Sequence, residues 1–128
     1  MITAGSTAVY CANNPCNVGA PACSGTAYTF TTPGYQVSFR GDVSCTHVMD
    51  YINIHLSLVR SSTGATVLGP YHYTCHAAEA CYLGMHGWGL PSGCYRARLA
   101  WDSRYTDPVT NAITHFGNTT TSGYEVCV

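Results

Sequence analysis

The run YQVSFRGDVSCTHVMDYINIHLSLVR, residues 35–60, decides the fold class. Its first part alternates: Tyr35, Val37, Phe39, Val43 and Cys45 share one face, while Gln36, Ser38, Arg40, Asp42 and Ser44 share the other. Its last part repeats the pattern, with Ile52, Ile54, Leu56 and Leu58 set against Asn53, His55 and Ser57. A period of two sends successive side chains to opposite faces of a pleated strand, so each part predicts a half-buried strand, with THVMD as the joint between them.

The same pattern spreads outward. SSTG makes a turn into ATVLGPYHYT, whose Gly69-Pro70 suits an edge or a bulge. In GCYRARLAW, Tyr95, Ala97, Leu99 and Trp101 point inward and Arg96 and Arg98 outward, and the closing GYEVCV sets Tyr124, Val126 and Val128 against Glu125 and Cys127. CHAAEACYLG is the one stretch with helical character, enough alanine for about two turns. At least six short strands separated by Gly/Pro turns predict an all-β fold, an antiparallel immunoglobulin-like β-sandwich held by disulfides. Residues 1–25, which include CANNPCNVGAPAC, show no period and read as a loop-like N-terminal arm; residues 26–128 form a single sandwich domain.

Composition narrows the partners. Of 128 residues 46% are hydrophobic but only 9% charged, where about 25% is usual, and the net charge is −1. Every basic residue is an arginine and no basic run exists, which argues against nucleic acid and anionic membrane. No apolar run reaches the roughly 18 residues that a spanning helix needs. The opening Met-Ile-Thr-Ala-Gly-Ser lacks a charged and then apolar run, so it reads as a mature chain restarted with methionine. An Ala/Gly/Thr-rich chain without lysine points to a high-GC bacterium, where the Asn118-Thr119-Thr120 sequon is silent.

Eight cysteines in so short a chain indicate disulfides, hence secretion into an extracellular, oxidising space. Strand phase orders the pairing. Cys94 and Cys127 lie on outer faces and can bridge two adjacent strands; Cys75 and Cys81 close a local loop; Cys45 faces inward and pairs with one cysteine among Cys11, Cys16 and Cys23, the other two closing on each other.

A strand ending in Val43-Ser44-Cys45, then YINIHLSLVR, a close cysteine pair, Gly93-Cys94-Tyr95-Arg96-Ala97-Arg98 and a terminal cysteine together resemble a group of small secreted actinomycete proteins. The resemblance spans about residues 35–128 and implies a β-sandwich. Some proteins of this general kind are adaptor subunits of umbrella-shaped extracellular toxin particles. The two extra cysteines of the arm and the many histidines depart from that pattern.

HYTCHAAEAC, residues 72–81, gathers two histidines and two cysteines. Zinc sites space their cysteines C-x₂₋₄-C, and these lie farther apart, so a stapled connection is the expectation. His72, His76 and His86 remain a weak copper or nickel set, and no C-x-x-C redox pair exists. G-x-S-x-G, P-loop and H-E-x-x-H motifs are missing. Asp50, Asp102, Asp107 and Glu79 lie near aromatics, and Asp102 with Asp107 around Arg104 and Tyr105 is the conceivable glycosidase pair; the plainer reading is a polar turn at Asp107-Pro108. Trp101 belongs to the core by phase, whereas Trp88, between glycines in LGMHGWGLPSG, is either a lid or a contact residue. Tyr82, Trp88 and Tyr105 form the candidate binding patch.

These readings assign no catalytic residue, cofactor or metal. They point to a secreted non-catalytic binding module that acts by protein–protein contact, an adaptor or structural subunit of an extracellular assembly whose partner is another secreted protein or a second copy. The alternatives are a carbohydrate or cell-wall binding module and a small secreted hydrolase or toxin.

Overall fold

The computed structural model describes residues 3–7 and 20–128 and is all-β and antiparallel. Its strands are β1 (Thr3–Thr7), β2 (Cys23–Phe30), β3 (Val37–Arg60), β4 (Thr66–Gly87), β5 (Cys94–Thr106), β6 (Ile113–Thr121) and β7 (Val126–Cys127). All belong to one sheet in the order β1-β4-β3-β5-β6, with β2 added to β3 and β7 to β5. The sheet is not closed, and its strands are not uniformly short: β3 has 24 residues and β4 has 22.

Those two strands run side by side from Val37↔Gly87 to Val59↔Thr66 and turn a corner together. Pairing holds to Ser44↔Ala80 and resumes at Met49↔Ala78, so residues 45–48 stand opposite Glu79 alone. THVMD is therefore not a loop between two strands but a bulged bend within one. A bulge adds residues on one side of a ladder, and the longer side must curve. The extent of the bend shows in β4, where Cys75 and Cys81 have Cα atoms 5.9 Å apart. In a straight strand six steps would cover about 20 Å. Ala77, with φ at 47°, takes up the turn.

Beyond the corner the first half of β3 faces its own second half. A Cβ on Gly41 would come within 2.7 Å of Leu99 Cδ1 and 3.3 Å of Leu56 Cδ1, so this approach needs a residue without a side chain. The core fills the space between: Val37, Phe39 and Val43 from one layer meet Ile52, Ile54, Leu56, Leu58, Leu99 and Trp101 from the other, all buried. β2 lies across β5 and β6 without pairing to either. The buried Ser122 ties the layers together: its Oγ accepts from the Ala97 amide at 3.0 Å, donates to the Tyr124 carbonyl at 2.9 Å and lies 3.0 Å from Thr29 Oγ1 on β2.

Three disulfides join described residues. Cys23–Cys45 and Cys94–Cys127 each link directly opposed residues of adjacent strands, and Cys75–Cys81 spans the corner of β4. Cys11 and Cys16 lie outside the described residues. The segment expected to be all loop contributes β1, paired to the edge of β4, and the start of β2. The stretch with helical character is strand throughout, and among the described residues there is no helix. Farther along the first half of β4, Gly69-Pro70 forms a second bulge, opposite Ser57.

Candidate functional site

The β4–β5 loop carries an exposed indole, that of Trp88. Val37↔Gly87 is the last pair of β3 with β4, and the Gln36 amide donates to the Gly87 carbonyl at 3.0 Å. On the far side of the loop the Leu90 amide donates to Gln36 Oε1 at 2.6 Å, and Gln36 Nε2 donates to the Leu90 carbonyl at 3.3 Å. Trp88 stands between these anchors, followed by Gly89 at φ +70°. It is thus a fixed projection, 66% exposed, not a lid folded onto the core. Leaving an indole so uncovered forgoes roughly 2 kcal/mol of burial.

Two further rings support it. Tyr35 stacks on His86 with centroids 4.0 Å apart and planes 17° from parallel, and Trp88 approaches the same Tyr35 at 5.7 Å with a 51° tilt. Ser38 Oγ donates to Thr32 Oγ1 at 2.7 Å and lies 2.7 Å from His86 Nδ1. A hydroxyl has one proton to give, so His86 Nδ1 carries the hydrogen of the second contact, and in the neutral ring Nε2 is the acceptor. Leu68, Tyr71, His86, Gly87 and Trp88 line a shallow cleft of ≈ 230 Å³. It has apolar walls, a histidine acceptor and no carboxylate, a surface for stacking and hydrogen bonding.

The other two members of the sequence-derived patch lie elsewhere. Tyr82 is in the first layer under the Arg40 guanidinium, 4.5 Å from its centroid, and Arg40 is paired with Asp42 at 2.6 Å. Tyr105 is 9% exposed, edge-on to the buried His47 at 5.0 Å. Burial first, and then the charges of Asp107 and Asp50, push the Tyr105 hydroxyl above its ordinary range. No contact joins either ring to Trp88. Tyr35, which meets Trp88, and His86, which lines the same cleft, escape sequence reading for different reasons. Alternation assigns Tyr35 to the core, although the strand begins only at Val37; His86 looks like one more scattered histidine.

The histidines of HYTCHAAEAC do not converge with His86. His72 stacks on His55 across the sheet at 4.5 Å, and His76 stands opposite Tyr51. They belong to an outer polar face on which Thr74 Oγ1 donates to Asn53 Oδ1 at 2.6 Å and Asn53 Nδ2 donates to Asp102 Oδ2 at 3.1 Å. Asp102 is thus engaged with Asn53, while Asp107 accepts the Val109 and Thr110 amides at 2.8 and 3.1 Å as a turn residue. Asp50 accepts from Arg104 Nε at 3.0 Å.

A larger cleft of ≈ 410 Å³ lies beside Cys94, between Arg60 and Arg96. Arg96 is spent on the Ser122 and Gly123 carbonyls, both at 2.9 Å, and Glu125 stands 3.7 Å away. Cys94, Glu125 and Cys127 bring three donor atoms close together, but both sulfurs are in the bridge and offer no thiolate. Among the described residues no helix is long and apolar enough to cross a membrane. The disulfides fit an extracellular or otherwise oxidising environment. Compared with protein families, curated proteins and solved structures, the chain matches none.

Proposed function

We propose that this chain is a secreted, non-catalytic binding module that acts by protein–protein contact, as an adaptor or structural subunit of an extracellular assembly. The observation that carries the reading is β6. This strand ends the sheet, and its sequence ITHFGNTTT contains no lysine, arginine, carboxylate or proline. An unpaired edge presents a row of free amides and carbonyls, and natural proteins usually blunt it with charge, proline or a cover. Here nine residues carry no such charge, proline or covering strand, with exposed Ile113 at their start and exposed Val109 in the turn before them; within the strand Asn118 Oδ1 accepts the Thr119 amide at 2.8 Å. Such an edge suits an extended segment of another secreted protein added as a further strand.

Other features support the same reading. β1 covers Ala80–Gly84 of the β4 edge, and β2 is tied to the opposite layer through Thr29 and Ser122, whereas among the described residues β6 has no strand beyond it along its whole length. In use, the folded sheet works as an immunoglobulin-like sandwich does, as a stapled scaffold offering edges and loops. The resemblance of the cysteine and strand order to small secreted actinomycete proteins, some of which serve as adaptors, supports it.

The test is a charge at the edge. Asn118 pairs with Trp101 on the core-facing side of β6 yet is exposed, so Asn118→Lys leaves the core intact and adds the charge that guards other edges. Wild type immobilised in the culture medium of its source should retain a discrete partner that Asn118→Lys loses by about tenfold or more. Equal capture by both proteins contradicts the proposal. A wild-type dimer in sedimentation that Asn118→Lys dissolves would reassign the edge to a second copy.

A further inference from the structure

We infer that the Tyr35–His86–Trp88 cluster is a second binding site, for a gluco-configured pyranose ring within a polysaccharide. It lies apart from β6, so it goes beyond the protein-contact reading and does not rest on it.

The cluster has the two components such a ligand needs. A pyranose whose hydroxyls are all equatorial presents an unbroken face of axial C–H groups, which lies flat on an aromatic ring, while its hydroxyls point outward to polar groups. Trp88 offers the platform with 66% of its surface open, and Tyr35, tilted 51° to it, turns the flat surface into a shallow angle. At the cleft beside it the hydroxyl of Tyr71 and the Nε2 acceptor of His86 make no hydrogen bond to any described residue. Ser38 and the stacked Tyr35 hold the His86 ring in place. The cleft, ≈ 230 Å³, is smaller than the roughly 300–1,000 Å³ of sites that enclose drug-sized molecules, as a site for one ring would be.

Preorganisation is the stronger argument. An exposed tryptophan on a slack loop would lose its freedom on binding and gain little. Here Gln36 clamps the Leu90 backbone through both of its amide atoms, and Gly87 is the end of a strand. That ordering cost is met in the free protein. Gly87 and Gly89 flank the indole without side chains that would cover it.

The experiment titrates cellohexaose, laminarihexaose and N-acetylchitohexaose into the full chain by calorimetry, with indole emission followed in parallel. At least one should bind saturably, blue-shift the emission and shield Trp88 from iodide. Trp88→Ala and Tyr35→Ala should each weaken it by about tenfold or more, at unchanged near-ultraviolet dichroism of the buried Trp101. Tyr124→Ala, which removes a still more exposed ring outside the cluster, should bind as wild type. Asn118→Lys should also bind as wild type, so loss of protein capture and loss of sugar binding are read separately. No binding of any of the three oligosaccharides at millimolar concentration, or undiminished binding by Trp88→Ala, overturns the inference.

Discussion

Asp107 opens the turn between β5 and β6 and accepts two backbone amides, those of Val109 and Thr110, which hold its carboxyl below the ordinary 3.8. Because the folded state binds its proton less readily than the unfolded state, Asp107 contributes stability that is full above the ordinary value and lost as pH falls through the folded one. Asp107→Asn keeps an acceptor oxygen but does not titrate. Urea unfolding should therefore show wild type losing stability relative to Asp107→Asn between neutral pH and acid below 3.8, and a constant difference across that range would contradict this role. Single residues were unevenly legible in the sequence. Outward phase places Cys94 and Cys127 on one face, and the register sets them directly opposite. Tyr35 obeys the same alternation yet leaves the core, since a pattern of residue types does not mark where pairing begins.

At the scale of elements, the corner of β3 and β4 is where sequence reading and structure part. Alternation breaks at THVMD, and a broken alternation looks the same whether the chain leaves the sheet or bends within it. Alanine likewise favours helix in CHAAEACYLG, but this stretch of β4 lies between β1 and β3, and Ala80 pairs on both sides, with Thr7 and Ser44. A helix there would abandon the ladders of both neighbours, which outweighs a propensity of a few tenths of a kcal/mol per residue. Cys75–Cys81 holds this corner. Chain entropy assigns its short loop about 2 kcal/mol, against roughly 3.5 kcal/mol for Cys94–Cys127. The double variant Cys75→Ala/Cys81→Ala should keep its far-ultraviolet dichroism and lose about that smaller amount in urea unfolding. Wild-type stability would show that the corner stands without its staple.

Across the described residues, three parts of the surface differ in chemistry. On the outer polar face, Thr74, Asn53 and Asp102 are joined by a chain of hydrogen bonds. The Trp88 end presents rings, and β6 presents backbone. The strand alternation made the all-β class legible, and Trp88 between glycines marked one end of the molecule. The free edge was hidden, because edge or centre is a property of sheet order, and residues far apart in sequence decide it: β6 is an edge only because β3 lies on the other side of β5.

Hydrogen–deuterium exchange over residues 113–121 tests the proposed binding edge most directly. In the free protein the amides of β6 that point away from β5 should exchange far faster than those of β3, which is paired along both sides. With the captured partner bound, those same β6 amides should slow by an order of magnitude or more, as a new ladder predicts. Protection confined to other segments, with β6 exchanging as in the free protein, would contradict the account.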